Sequence, residues 1–150
     1  MNASTRHVAT LAAFGLMFTL PQAASAADPC TLMRVQDIVA VLGNRVSPTP
    51  IGTTGCIWKG NPQGVNIQLS DASTWARTIM PVQGVTKTAV SGIGDAAIFS
   101  GIQNTWTLSV KQGNNVIVLT VLGTNTSDQQ RPDQQRSLEQ ALALLALKGL

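Results

Sequence analysis

The chain has no tyrosine and a single histidine, and that histidine stands at position 7. Residues Met1 to His7 form a short n-region carrying Arg6, and Val8 to Leu20 form an apolar run closed by Pro21. Ala24-Ser25-Ala26 then supplies the small residues that a signal peptidase reads. The expectation is a signal peptide over residues 1–26 and one exported domain over residues 27–150. His7 leaves with the signal. The exported domain therefore lacks the side chain that most often performs acid–base, nucleophile-activating and metal-binding chemistry.

Long hydrophobic runs are missing as well. The leader's apolar run is shorter than the roughly 20 residues that span a bilayer, and no later segment reaches that length, so no membrane span is expected. Pro29 directly before Cys30 departs from the small-residue pattern of bacterial lipoprotein processing, which points to an ordinary secretory leader. The expected location is secreted, periplasmic if the cell is Gram-negative.

Charge is scarce. Charged residues make up 11% of the chain, against roughly 25% in ordinary soluble domains. The formal net charge is +3, or about +2 once Arg6 departs, and no two of the remaining basic residues are adjacent. A scattered charge of this size is a solvated surface, so no nucleic-acid partner is expected. Gln, Asn, Ser and Thr must cover much of the surface, which suits amide- or hydroxyl-rich partners.

Cysteine is limited to Cys30 and Cys56. In an oxidising compartment an even pair reads most simply as a disulfide, closing a loop whose chain entropy is worth about 3 to 4 kcal/mol. The close Cys-x-x-Cys spacing of a redox pair is absent. The bridge is expected to staple the N-terminal helix to the first strand.

What is present is periodic. Val35, Ile38, Val39 and Leu42 form an amphipathic helical stripe ended by Gly43, and Leu138, Ala141, Leu142, Leu145 and Ala146 form another. Ser47 to Gly55, rich in Pro, Gly and Thr, reads as a loop. Strands are predicted at Cys56 to Lys59, Val65 to Leu69, Ala96 to Ser100, Thr105 to Val110 and Val116 to Leu122, with a turn at Gly113-Asn114-Asn115. Ser73 to Met80 reads as a short helix or turn stopped by Pro81, and Thr124 to Gln130 as a loop before a helix beginning near Pro132. Helices at both ends of a mostly antiparallel sheet imply an α+β fold, a two-layer sandwich.

The segments Cys30-Thr31-Leu32-Met33, Ala40-Val41-Leu42-Gly43, Gly55-Cys56-Ile57-Trp58 and Gly92-Ile93-Gly94-Asp95-Ala96-Ala97 resemble an uncharacterised group of small exported bacterial domains. That group includes LpqN-type lipoproteins and resembles the extracytoplasmic sensor domain of PknH. The resemblance covers most of the exported domain. It implies a disulfide-bonded envelope domain with no catalytic residues to carry over. Two departures stand out: Arg34 replaces a helix-capping Thr, and the lipid anchor of many members is not expected here.

Gly92-x-Gly94-x-x-Ala97 superficially matches a dinucleotide fingerprint, but the residues after it read as strand and Asn114 stands where a ribose-binding acid is expected. A tight turn using Gly92 and Gly94, capped by Asp95, is the better reading. No cofactor is expected. Neither Gly-x-Ser-x-Gly nor Ser-x-x-Lys occurs, and no clustered acids offer a metal site. Of the seven acidic residues, only Asp71 and Asp95 stand where they could pair as acid and base. Trp58 and Trp106 read as core, whereas Trp75 has polar neighbours and, with Arg77, is the candidate contact residue. The expected function is a non-catalytic cell-envelope module that binds a protein, a cell-wall fragment or a small ligand. An inhibitor or immunity-type protein is one form of it. The alternative is a small secreted hydrolase using Asp71 and Asp95.

Overall fold

Two antiparallel meanders meet along one seam. β1 (Val46–Ile51), β2 (Gly55–Gly60) and β3 (Gly64–Asp71) form the first, and β4 (Thr86–Val90), β5 (Ala96–Ile102), β6 (Thr105–Gln112) and β7 (Asn115–Leu122) form the second. The computed structural model describes residues 27–102, 105–123 and 131–150. Among these the sheet is seven-stranded, ordered β1-β2-β3-β7-β6-β5-β4, and β3 pairs with β7 from Gly64↔Leu122 to Asp71↔Asn115. The expected signal segment, and the loop Thr124 to Gln130 with Asp128, lie outside the described residues.

Alternation decides the two faces. Val65 and Ile67 of β3, Ile117, Leu119 and Val121 of β7, and Leu108 and Val110 of β6 are buried on one face, where they meet α1 (Val35–Leu42) and α3 (Arg131–Leu147) through Ile38, Leu42, Leu142 and Ala146. The result is the expected α+β arrangement with a mostly sheet core. None of the described helices is long and apolar enough to cross a membrane.

The disulfide joins Cys30 to Cys56 with Cα atoms 5.1 Å apart. Its anchor is a 3-10 turn, Pro29–Thr31, capped by the Asp28 carboxylate, and not α1; its other end is the second strand, not the first. The first strand is β1, which runs through the segment predicted as a loop. Pro48 and Pro50 mark that segment as a breaker in sequence, yet an edge strand needs ladder donors on one side only and tolerates proline on the other. β4 was also without a sequence signal, because none of its five residues is buried.

The link from β3 to β4 must pass three strands. It does so on the face away from α1 and α3, through a 3-10 turn, Ala72–Thr74, and the short helix α2 (Trp75–Ile79). Ser70, whose hydroxyl bonds that of Thr74 at 3.1 Å, and Lys87, whose Nζ donates to the Thr78 carbonyl, both point to this second face. At this end of it Val116 and Ser109 are buried.

Candidate functional site

The crossover carries the residues singled out in the sequence. Asp71 begins it, its carboxylate accepting the Ser73 amide at 2.8 Å, while the Thr74 hydroxyl donates back to the Asp71 carbonyl at 2.8 Å. The Thr78 hydroxyl donates to the Thr74 carbonyl at 3.1 Å, and Lys87 reaches across from β4 to the carbonyls of Thr78 and Met80. A segment pinned at its start and its end presents a fixed surface. Thr74, Trp75 and Thr78 are half-buried against the sheet, whereas Arg77 is exposed. Beside Arg77 stand Ile79, Met80 and Val82, exposed by 46%, 58% and 54%. Sequence reasoning did not single out these three apolar residues, because Ser73 to Met80 read only as a short helix or turn stopped by Pro81.

Asp71 and Asp95 hold opposite flanks of the same β6–β7 turn. The Ala72 amide donates to the Asn114 carbonyl at 3.0 Å, and the Asp95 carboxylate accepts the Gly113 amide at 2.7 Å. Gly92 and Gly94 have positive φ, as the tight-turn reading requires, but Asp95 caps the neighbouring hairpin and not the glycine turn itself. Hydrogen bonds from the Ser73 amide and hydroxyl hold the Asp71 carboxyl below its ordinary range, which keeps it ionised and unsuited to act as a general acid near neutral pH.

A second surface lies between α3 and the β4–β5 hairpin, a cleft of about 440 Å³. Phe99 and Thr88 lie on the sheet side, with Asp133, Arg136 and Gln140 on the helix. Arg136 is paired with Asp133, and its guanidinium carbon lies 4.9 Å from the Trp106 ring centroid and 6.0 Å from that of Phe99. The two rings meet edge to face at 6.4 Å. Trp106 is half-buried, less enclosed than its sequence pattern predicts, because the helix residue over it is an arginine.

Beneath this cleft the sheet itself opens. The β6–β7 ladder stops at Leu108↔Leu119, although β6 starts at Thr105 and β7 continues to Leu122. Continuing the register would set Trp106 against Val121. Two α3 side chains take that place. The Val121 amide donates to Glu139 Oε1 at 3.1 Å, and Gln135 Nε2 reaches the Trp106 carbonyl at 3.1 Å, the Val121 carbonyl at 3.4 Å and Glu139 Oε1 at 3.0 Å. Glu139 is 0% exposed, and its Oε2 has no hydrogen-bond partner among the described residues. Burial pushes its carboxyl up to about 7, against the pull of the Val121 and Gln135 hydrogen bonds.

Among the described residues no three His, Cys, Asp or Glu side chains converge as a metal site. Cys30 and Cys56 are consumed by their bridge. No family model, curated protein or solved structure matches this chain.

Proposed function

We propose that this chain is a non-catalytic interaction module of the cell envelope, and that a protein partner docks on the crossover. The observation that carries this reading is the exposed strip of Ile79, Met80 and Val82 beside Arg77, on a segment fixed by Asp71, Thr74 and Lys87. Apolar side chains next to an arginine, with an aromatic ring half-exposed at Trp75, form the composition of a protein contact. The leader pattern, the Cys30–Cys56 disulfide and the resemblance to small exported bacterial domains support the envelope as its place.

The test is site-specific photo-crosslinking in the producing cell. A probe at Val82 should yield a discrete protein adduct that a probe at Thr49, on the far edge of the sheet, does not. Met80→Asp should abolish it. A turnover activity eliminated by Asp71→Asn or Asp95→Asn in folded protein would replace this reading with the hydrolase.

A further inference from the structure

Charges scattered along the sequence are sorted by the fold. Alternation against buried Trp58 sets Lys59 of β2 on the face away from α1 and α3, and Lys87 of β4 reaches the crossover that lies on that same face. Arg77 stands exposed on the crossover itself. The acids lie elsewhere. Asp37 pairs with Arg34 at the start of α1, Asp133 pairs with Arg136 on α3, and Glu139 of α3 is buried. Asp28 caps the N-terminal turn, while Asp71 and Asp95 hold backbone amides at the β6–β7 end of the sheet. Lys111 shares that end with Asp95, whose amide donates to the Lys111 carbonyl at 2.9 Å. Over the rest of the second face, the described residues place Lys59, Arg77 and Lys87 and no acidic side chain.

The same face carries exposed aliphatic side chains. Ile102 and Leu122 follow buried Gly101 and Val121, so alternation turns both to this side. A groove of about 360 Å³ runs beside Ile102, lined by Val85, Ser100, Thr105 and Thr107. The Val85 amide donates to the Val82 carbonyl at 3.1 Å, so the groove continues the strip of Ile79, Met80 and Val82.

We propose that the partner is a protein with an acidic contact surface, which meets Lys59, Arg77 and Lys87 while an apolar side chain of the partner enters the groove beside Ile102. This rests on the crossover being the docking site and adds the chemistry of what docks there. Charge complementarity decides the sign: carboxylates approaching this face are attracted by three basic side chains with no acid among them, and a basic surface is repelled. The aliphatic strip decides the class. A phosphate backbone offers no apolar surface to cover Ile79, Met80 and Val82, whereas a protein contact buries such residues at its centre and keeps charges at its rim.

Lys59→Glu, Arg77→Glu and the control Lys148→Glu, just beyond α3, change the net charge equally, and all three positions are exposed, so the fold is kept. Lys87 stays in place because it pins the crossover. On a carboxymethyl cation-exchange column the first two variants should elute at lower salt than the control, since only they remove charge from the face that meets the carboxylates. In an envelope extract of the producing cell, the protein adduct of a photo-probe at Val82 should fall by about threefold to tenfold with Lys59→Glu or Arg77→Glu and hold with Lys148→Glu. It should also fall as ionic strength rises from about 0.01 M to about 0.15 M, which shortens the Debye length from about 30 Å to about 8 Å. An adduct that ignores salt and both reversals leaves the docking site standing and overturns the acidic partner. Equal losses from all three variants do the same. No adduct at any salt removes the docking site and this proposal together. Capture by phosphatidylglycerol vesicles, lost with the same two variants and unaccompanied by a protein adduct, assigns the face to a lipid surface and overturns the proposal.

Discussion

The two meanders are joined to their helices by different chemistry. In the β1–β3 meander a disulfide ties the N-terminal turn to β2, and Trp58 is fully enclosed with Val65, Ile67 and Ile38 in an apolar core. In the β4–β7 meander the ladder between β6 and β7 ends early, and α3 completes it with the side chains of Gln135 and Glu139. The first region adds a covalent bond to its packing; the second adds to an apolar cluster of Ile93, Phe99, Leu108 and Val110 a set of polar groups that respond to solution conditions. The lesson is that a helix can serve a sheet as a hydrogen-bonding partner as well as a lid.

That contrast sets the order of expected effects. Replacing both Cys30 and Cys56 by alanine should cost about 3 to 4 kcal/mol in urea unfolding, the chain-entropy value for a bridge of sequence separation 26. An undiminished midpoint would mean that packing alone holds the first region.

Glu139 gives the second its signature. In the unfolded chain its carboxyl titrates near 4.5, and in the fold near 7, so between these values the folded state holds the extra proton. Stability contributed by this group should therefore fall as pH rises through that window, by about 3 kcal/mol in total, and level off above it. Glu139→Gln should flatten the profile and be the more stable form above pH 7. A profile unchanged by the substitution would place the pH dependence elsewhere. Asp71 has the opposite sign: its depressed carboxyl supports the fold at neutral pH and stops doing so only in acid, as pH falls through its folded value.

Gly101→Ala probes the packing of the same region. A Cβ there would lie 2.6 Å from Cε3 of Trp106, which must shift with Arg136 above it, at a cost of about 2 kcal/mol. Thermal unfolding measures this, and Trp106 fluorescence should change with it. The smallest effects belong to the turn acids. Asp95→Asn should cost at most about 1 kcal/mol, since that side chain bridges two hairpins, and the exposed Asp71→Asn should cost less, as a shift in the thermal midpoint would show.

What was legible in the sequence was whatever alternates against a buried face. The stripes of α1 and α3 and the strands β3 and β6 show their buried side as an apolar period, whereas β7, buried on both faces at Val116 and Ile117, shows itself as a continuous apolar run. β1 and β4 were illegible because an edge strand without a covered face has no such period, and β1 adds two prolines. Of the candidate contacts, Arg77 is exposed and Trp75 only half so; the apolar strip beside them needed the crossover's path over the sheet to be seen. Glu139 and Gln135 read as surface residues by type. Their positions carried the signal, since 135, 139, 142 and 146 fall on one helical stripe that includes Leu142 and Ala146.

The seam between β3 and β7 also bears on how the chain reaches this structure. Each meander is made of sequence-adjacent hairpins, so both form through local contacts, whereas the seam brings together strands separated by the whole crossover and three other strands. Closing it carries the entropy of a long loop before any pairing is gained, which makes it the natural rate-limiting event. Truncations within the seam, such as Ile67→Val or Leu119→Ala, should therefore slow folding in stopped-flow measurements, whereas changes in the outer hairpins should chiefly speed unfolding.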